Sequence, residues 1–208
     1  DEKIKILDAL GLDYLIIHPF TREFSRLSAT EFVRDILVNS LKTKKIIIGY
    51  DHRFGRNRDA NITDLVAFGN TLDFEVEEIP AQEIDDVSVS STKIRKALEN
   101  GQIEIANKYL GYPYLLTGKV KKGKGLGRQI HFPTANLHIE ESYKLIPKNG
   151  VYVVQSEIDG TAVSGMMNIG YNPTVSGNEK SIEIHFFDFD GDLYDQKLQI
   201  DILARIRD

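Results

Sequence analysis

At Leu110-Gly111-Tyr112-Pro113 the periodicity of the chain changes, and this limits the fold more than any other feature. Before it, helical and strand patterns alternate. Residues 2–10 place Ile4, Ile6, Leu7 and Leu10 near helical period and stop at Gly11, which suits a left-handed C-terminal cap. Residues 14–17 read as a short buried strand. Ser28-Ala29-Thr30-Glu31 is a capping box, which predicts a helix to about Leu41 with Phe32, Ile36, Leu37 and Leu41 on one side. Residues 45–50, with Ile46, Ile47 and Ile48 in a row, predict a strand buried on both faces. A helix over 60–72 and a strand over 74–79 follow. Successive β-α-β units imply a parallel sheet covered by helices.

After the change, residues 114–121, 150–158, 161–169, 182–188 and 193–202 are all strand-like, with no useful helix among them. Two Asp-Gly pairs, Asp159-Gly160 and Asp190-Gly191, signal tight hairpins between strands. Hairpin-linked strands in a segment this short predict a small antiparallel barrel or sandwich. The expected organisation is therefore an α/β domain over 1–112 and an all-β domain over 113–208.

Composition narrows the function classes. With no cysteine, disulfides, thiolate metal sites and a cysteine nucleophile are excluded. A net charge of -5 gives no electrostatic footprint for nucleic acid. No apolar run approaches the roughly 18–20 residues of a membrane helix. No basic-then-apolar leader is visible, so the expectation is a cytoplasmic chain with neither a nucleic-acid nor a membrane partner. No feature sets an oligomeric state. The abrupt first helix and the ending at Arg205-Ile206-Arg207-Asp208 predict a fragment of a longer protein.

Two segments of the first half carry phosphate-binding chemistry. Asp51-His52-Arg53-Phe54-Gly55-Arg56-Asn57-Arg58 follows the strand over 45–50, and ligands of open parallel sheets bind beyond the carboxyl ends of strands. A solvated surface loop is the plain alternative. Ser90-Ser91-Thr92-Lys93-Ile94-Arg95 enters a helix ending near Gly101; hydroxyls, backbone N–H groups and two cations there suit a phosphate. An ordinary Ser/Thr N-cap explains the same residues.

Three segments stand out in the second half. Residues 118–128 hold Gly118, Gly123, Gly125 and Gly127 with Lys119, Lys121, Lys122, Lys124 and Arg128, a basic glycine loop whose N–H groups can approach phosphates closely. It is no Walker loop, because Gly125 stands where Ser or Thr is required and strands follow. A Gly/Lys hairpin without a ligand is the alternative. In Phe132-Pro133-Thr134-Ala135-Asn136-Leu137, Thr134 and Asn136 share one side of an extended segment and could bind Mg²⁺ weakly; a turn with side-chain hydrogen bonds is the other reading. In Ile182-Glu183-Ile184-His185-Phe186, alternation sets Glu183 and His185 opposite Ile182, Ile184 and Phe186. Glu183 is read either as a cleft carboxylate or a solvated one, and His185 as a hydrogen-bonded neighbour rather than a metal ligand.

Gly49-Tyr50-Asp51-His52-Arg53-Phe54-Gly55 with Val89-Ser90-Ser91-Thr92-Lys93-Ile94-Arg95 resembles the FMN adenylyltransferase module of bacterial bifunctional FAD synthetases, within the nucleotidylyltransferase superfamily. The resemblance implies a Rossmann-like parallel sheet, Asp51, Phe54 and Gly55 by the nucleotide or flavin, and Ser90, Ser91, Thr92 and Arg95 on the ATP triphosphate. That family's His-x-Gly-His element is absent, since His18, His52, His131, His138 and His185 include no pair at that spacing. Residues 123–128, 132–137, Gly150-Val151-Tyr152, Asn168-Ile169-Gly170 with Pro173-Thr174, and Glu183 to Tyr194 look like bacterial riboflavin kinase, in order and spacing. This implies a riboflavin kinase-like barrel. Gly123, Lys124, Gly125, Gly127, Arg128, Phe132, Pro133 and Asn168 would then hold ATP and flavin. Thr134 and Asn136 would hold Mg²⁺, Glu183 would act as base, and Arg207 would match an arginine-bearing loop near the flavin. Riboflavin, FMN and FAD would be substrates or products. The alternatives are a nucleotidyltransferase for another acceptor and a flavin- or nucleotide-binding protein without catalysis.

Overall fold

The computed structural model describes residues 2–81, 83–84, 87–123, 133–174 and 177–208. They form two compact units, one of residues 7–88 and one of residues 1–6 with 89–208.

In the unit of residues 7–88, capping residues set the helix starts. After the short helix α2 (Arg22–Ser25), Ser28 Oγ accepts from the Glu31 N–H and the Glu31 carboxylate accepts from the Ser28 N–H, opening α3 (Ala29–Glu31). The helix continues over Phe32–Ser40 in wider turns, with the Leu41 N–H donating to the Ile36 carbonyl at 2.9 Å. Asn61 and Asp64 form a second capping box at α4 (Ile62–Leu72). Strands β1 (Lys45–Gly49) and β2 (Glu75–Ile79) pair in parallel, with Ile47 opposite Glu77. Val33, Leu65 and Phe74 are the buried centre, with Ile46 and Ile48 packed against them. A pair of two-residue strands, β3 (Glu83–Ile84) and β4 (Val87–Ser88), completes the unit.

Two expectations fail here. Residues 14–17 form no strand, and Tyr14, Ile16 and Ile17 are exposed. An extended run becomes a strand only beside a neighbour that takes its hydrogen bonds, and among the described residues β1 pairs only with β2. The β1 strand is also not buried on both faces: Ile47 is 58% exposed, because α4 and the wide helix cover only the side of Ile46 and Ile48.

The other unit is a closed six-stranded antiparallel barrel in the order β10-β5-β6-β9-β8-β7. Its strands are β5 (Tyr114–Lys121), β6 (Ala135–His138), β7 (Gly150–Ile158), β8 (Thr161–Thr174), β9 (Gly177–Phe186) and β10 (Lys197–Arg207). Alternate residues turn inward, and Tyr152, Val154, Met167, Ile184, Ile200 and Ile202 are fully buried there. Asp159 and Gly160, both at positive φ, make the expected tight turn between β7 and β8. The Asp190-Gly191 pair does not: β9 ends at Phe186, β10 begins at Lys197, and a long loop joins them. There Gly191 lies under the Phe189 ring, where a Cβ would meet Phe189 Cζ at 2.4 Å. The strand β6 has no counterpart among the expected strands, since four residues behind a proline carry too little alternation to read.

Helices α5 (Ser91–Glu99) and α6 (Ile103–Leu110) pack with the barrel, and Leu98, Ile103 and Ala106 join its core. Asn107 ties α6 to two strands, donating from its amide to the Ile202 carbonyl at 2.8 Å and accepting from the Tyr114 N–H at 2.7 Å. At the start of α1 (Glu2–Ala9), the Glu2 carboxylate accepts from the Thr117 N–H at 2.9 Å and pairs with Lys144. Burial, with Glu2 nearby, raises the Tyr114 hydroxyl above its ordinary range, and it donates to the Leu145 carbonyl at 2.8 Å. Replacing the fully buried Ile200 with Ala should cost about 2–5 kcal/mol, whereas Ile47→Ala should stay within about 0.5 kcal/mol; urea denaturation of both variants checks the contrast.

Candidate active site

The barrel sets Glu183 by register. On β9 it stands opposite Asn136 of β6 on one side and Asn168 of β8 on the other. Directly opposed residues of antiparallel strands share a face, with Cβ atoms about 4.5–5.5 Å apart. Ile182 and Ile184 flank Glu183 in the chain and point inward, which sends the carboxylate to the outer face between two carboxamides. The same row continues to Lys121 on β5 next to Asn136, and to Val151 and Arg207 beyond Asn168. Arg207 is thus a strand residue three strands from Glu183, not part of a loop.

Gly123 lies close against the Asn136 side chain. A Cβ on Gly123 would lie 2.3 Å from Asn136 Nδ2 and 2.9 Å from Oδ1, so only glycine lets the carboxamide rest there. The remaining loop residues named from the sequence, Lys124, Gly125, Gly127, Arg128 and Phe132, lie outside the described residues.

Pro133 and Thr134 precede β6 at the mouth of the barrel. They line a cavity of about 480 Å³ with Ala135, Ile184, Phe186 and Tyr194, and with Asp190 and Asp192 from the loop after β9. The Tyr194 N–H donates to Asp192 Oδ1 at 2.9 Å, which orders that loop. Sequence reasoning missed Asp192 and Tyr194, because the Asp-Gly pair beside them reads as a hairpin turn. His185 is a hydrogen-bonded neighbour as expected: its Nδ1 donates to the Pro133 carbonyl at 2.9 Å.

The donor set suits Mg²⁺. Asn136 offers a neutral oxygen in register with the Glu183 carboxylate and Thr134 another at the cavity wall, and this hard cation takes few protein oxygens together with water and phosphate. Among the described residues no cluster of three or more His, Cys, Asp or Glu side chains offers a competing metal site.

In the unit of residues 7–88, Phe54 lines an apolar cavity of about 310 Å³ with Gly49, His52, Ile48 and Leu65, next in the chain to Asp51. Gly55, at φ +77°, sits where a Cβ would meet Asp59 Oδ1 at 2.7 Å and the Ala29 nitrogen at 2.9 Å. The barrel unit carries Ser90, Ser91, Thr92 and Arg95 at the start of α5. Ser90 Oγ accepts from the Lys93 N–H at 3.3 Å as N-cap, while Ser91, Thr92 and Arg95 are exposed.

Similar proteins supply the family. The FAD synthetase family model matches residues 1–93 and the riboflavin kinase model matches 110–208. The bifunctional riboflavin kinase/FMN adenylyltransferase of Listeria monocytogenes is 38% identical over 96% of this chain and 63% of its own length. That of Haemophilus influenzae is 36% identical over 99% of this chain and 67% of its own. A crystal structure described as a macrolide-efflux protein from Streptococcus pneumoniae aligns with a TM-score of 0.87 and 35% identity, over 100% of this chain and 66% of that one. Among the described residues no helix is long and apolar enough to cross a membrane. The chain spans about two thirds of the length of these relatives. It belongs to the family of bifunctional riboflavin kinase/FMN adenylyltransferases.

Proposed function

We propose that the barrel unit transfers the terminal phosphoryl group of ATP to the ribityl 5′-hydroxyl of riboflavin, giving FMN and ADP. We further propose that residues 1–112 serve adenylyl transfer from ATP to FMN, giving FAD and pyrophosphate, and residues 113–208 the kinase reaction. The observation that carries the first reading is the register row in which Glu183 stands between Asn136 and Asn168. Phosphoryl transfer needs alignment, charge neutralisation and a proton acceptor more than covalent catalysis. Glu183 takes the hydroxyl proton as the new O–P bond forms and the bond to the β-phosphate oxygen breaks. Thr134 and Asn136 hold Mg²⁺, which when bound neutralises charge on the phosphates. Gly123 leaves room for the Asn136 carboxamide, and the basic residues that follow β5, Lys122, Lys124 and Arg128, serve the ATP phosphates. Asn168, next to Glu183 in the row, contacts ATP or flavin, and Pro133 with the apolar wall of the 480 Å³ cavity takes a ring of one substrate.

For adenylyl transfer, Asp51, Phe54 and Gly55 contact nucleotide or flavin, and Ser90, Ser91, Thr92 and Arg95 the triphosphate, as the family's motifs do. No histidine pair among these 208 residues has the family's His-x-Gly-His spacing, so the kinase reaction is the one this chain's own residues support more nearly completely. Small molecules in the cytoplasm are its partners: ATP, riboflavin and FMN, without nucleic acid or membrane.

Incubation with riboflavin and MgATP should yield FMN. Glu183→Gln should lower that rate about 10²–10⁴-fold with MgATP affinity unchanged; wild-type turnover would remove the base. Asn136→Ala, Thr134→Ala and Gly123→Ala should each raise the Mg²⁺ concentration giving half-maximal rate. An unchanged metal titration in all three would refute the ligand assignment.

A further inference from the structure

We propose that His185 is a positioning residue that fixes Thr134 for the metal, through the carbonyl of Pro133. The proposal rests on the kinase reading of Thr134 given above.

The β6–β9 ladder pairs Asn136 with Glu183 and Ala135 with Ile184, and β6 begins at Ala135. Continuing that register would set Thr134 opposite His185 and Pro133 opposite Phe186, but Pro133 has no N–H to donate. The backbone leaves the ladder there. What bonds it back to β9 is a side chain: His185 Nδ1 lies 2.9 Å from the Pro133 oxygen. A carbonyl oxygen only accepts, so Nδ1 carries the proton and donates. The Phe187 ring lies edge-on to the imidazole, centroids 5.8 Å apart, and limits its rotation. The bonded carbonyl belongs to the peptide plane that includes the Thr134 nitrogen, so the His185 bond fixes the plane from which the Thr134 side chain springs. His185 shares the outer face with Glu183 two residues away, so β9 carries a base and a brace for the neighbouring metal-binding segment side by side. Groups that hydrogen-bond a metal's ligands typically contribute about 10–100-fold in metal affinity, and one acting through the neighbouring peptide belongs at the low end of that range.

The test uses Mn²⁺ as probe, titrated into the full chain with ADP present and followed by the electron paramagnetic resonance signal of free Mn²⁺. Asn places its amide nitrogen near the position of His Nδ1, while Gln places it near Nε2. His185→Asn should therefore bind Mn²⁺ close to wild type, and His185→Gln and His185→Phe about tenfold more weakly. Thr134→Ala should also weaken binding, and adding His185→Gln to it should cost nothing more, because the two act along one path. In turnover, His185→Gln should raise the KM for MgATP more than it lowers kcat. Equal Mn²⁺ affinity of the Asn and Gln variants would overturn the proposal, as would additive losses in the double variant. If Thr134→Ala itself leaves Mn²⁺ affinity unchanged, the metal role of Thr134 falls and this inference with it. If Thr134→Ala weakens binding while His185→Gln matches wild type, the inference alone falls.

Discussion

Closure of the barrel depends on its shortest joint. Among the described residues the four-residue strand β6 meets β9 through two register pairs, Ala135 with Ile184 and Asn136 with Glu183, and meets β5 through Lys119, Val120 and Lys121. Strand side chains alternate with a period of two, so a slip of one residue would turn Ile184 outward and Glu183 into the core. Burying a carboxylate without a partner costs far more than burying isoleucine returns. The energy that places Ile184, Met167 and Ile182 inside therefore also places Glu183 between two carboxamides outside. Fold and site are two faces of one register.

Where the chain leaves this register, side chains take over from the backbone. Pro133 cannot extend the ladder, and His185 donates to its carbonyl. Gly123 lacks the Cβ that would push Asn136 away. In the loop between β9 and β10, Asp192 accepts from the Tyr194 N–H and Gly191 makes room for Phe189. The cavity at the barrel mouth is thus walled by a strand end and a loop, each held by one or two specific contacts. Such segments open at lower free energy than the strands that carry them, which suits a site that must admit and release substrates.

The sequence was most legible where periodicity and burial agree. Strands β5 and β7 coincide with runs read from alternation, and the Asp159-Gly160 turn follows from residue chemistry alone. Glu183 and His185 fall on the expected face because a ten-residue strand leaves no doubt about which side is apolar. What failed lacks that agreement. Tyr14, Ile16 and Ile17 are apolar enough for a strand but have no neighbour to complete one. The isoleucines over 46–48 look equivalent in sequence, yet Ile47 faces away from the helices. Asp190-Gly191 has turn chemistry and serves ring packing instead. Pairing partners and ring contacts are properties of distant residues, so no local pattern contains them.

The change of pattern near residue 112 and the edge of the barrel unit near residue 89 are different physical boundaries. The first marks where local structure turns from helix to strand, which short-range periodicity reports. The second marks where packing changes, which depends on what each helix buries. Helix α5 presents Ala97 and Leu98 to the barrel core, the Lys148 N–H donates to the Leu98 carbonyl at 3.1 Å, and Gly101 is closed over by Arg205. Arg205 in turn donates to the Asn149 carbonyl at 2.7 Å and pairs with Asp208. The helix whose first turn carries Ser90, Ser91 and Thr92 is therefore anchored at its far end by the β-barrel. Its orientation is set by the packing of the kinase-like unit, although its motif belongs by resemblance to the adenylyltransferase.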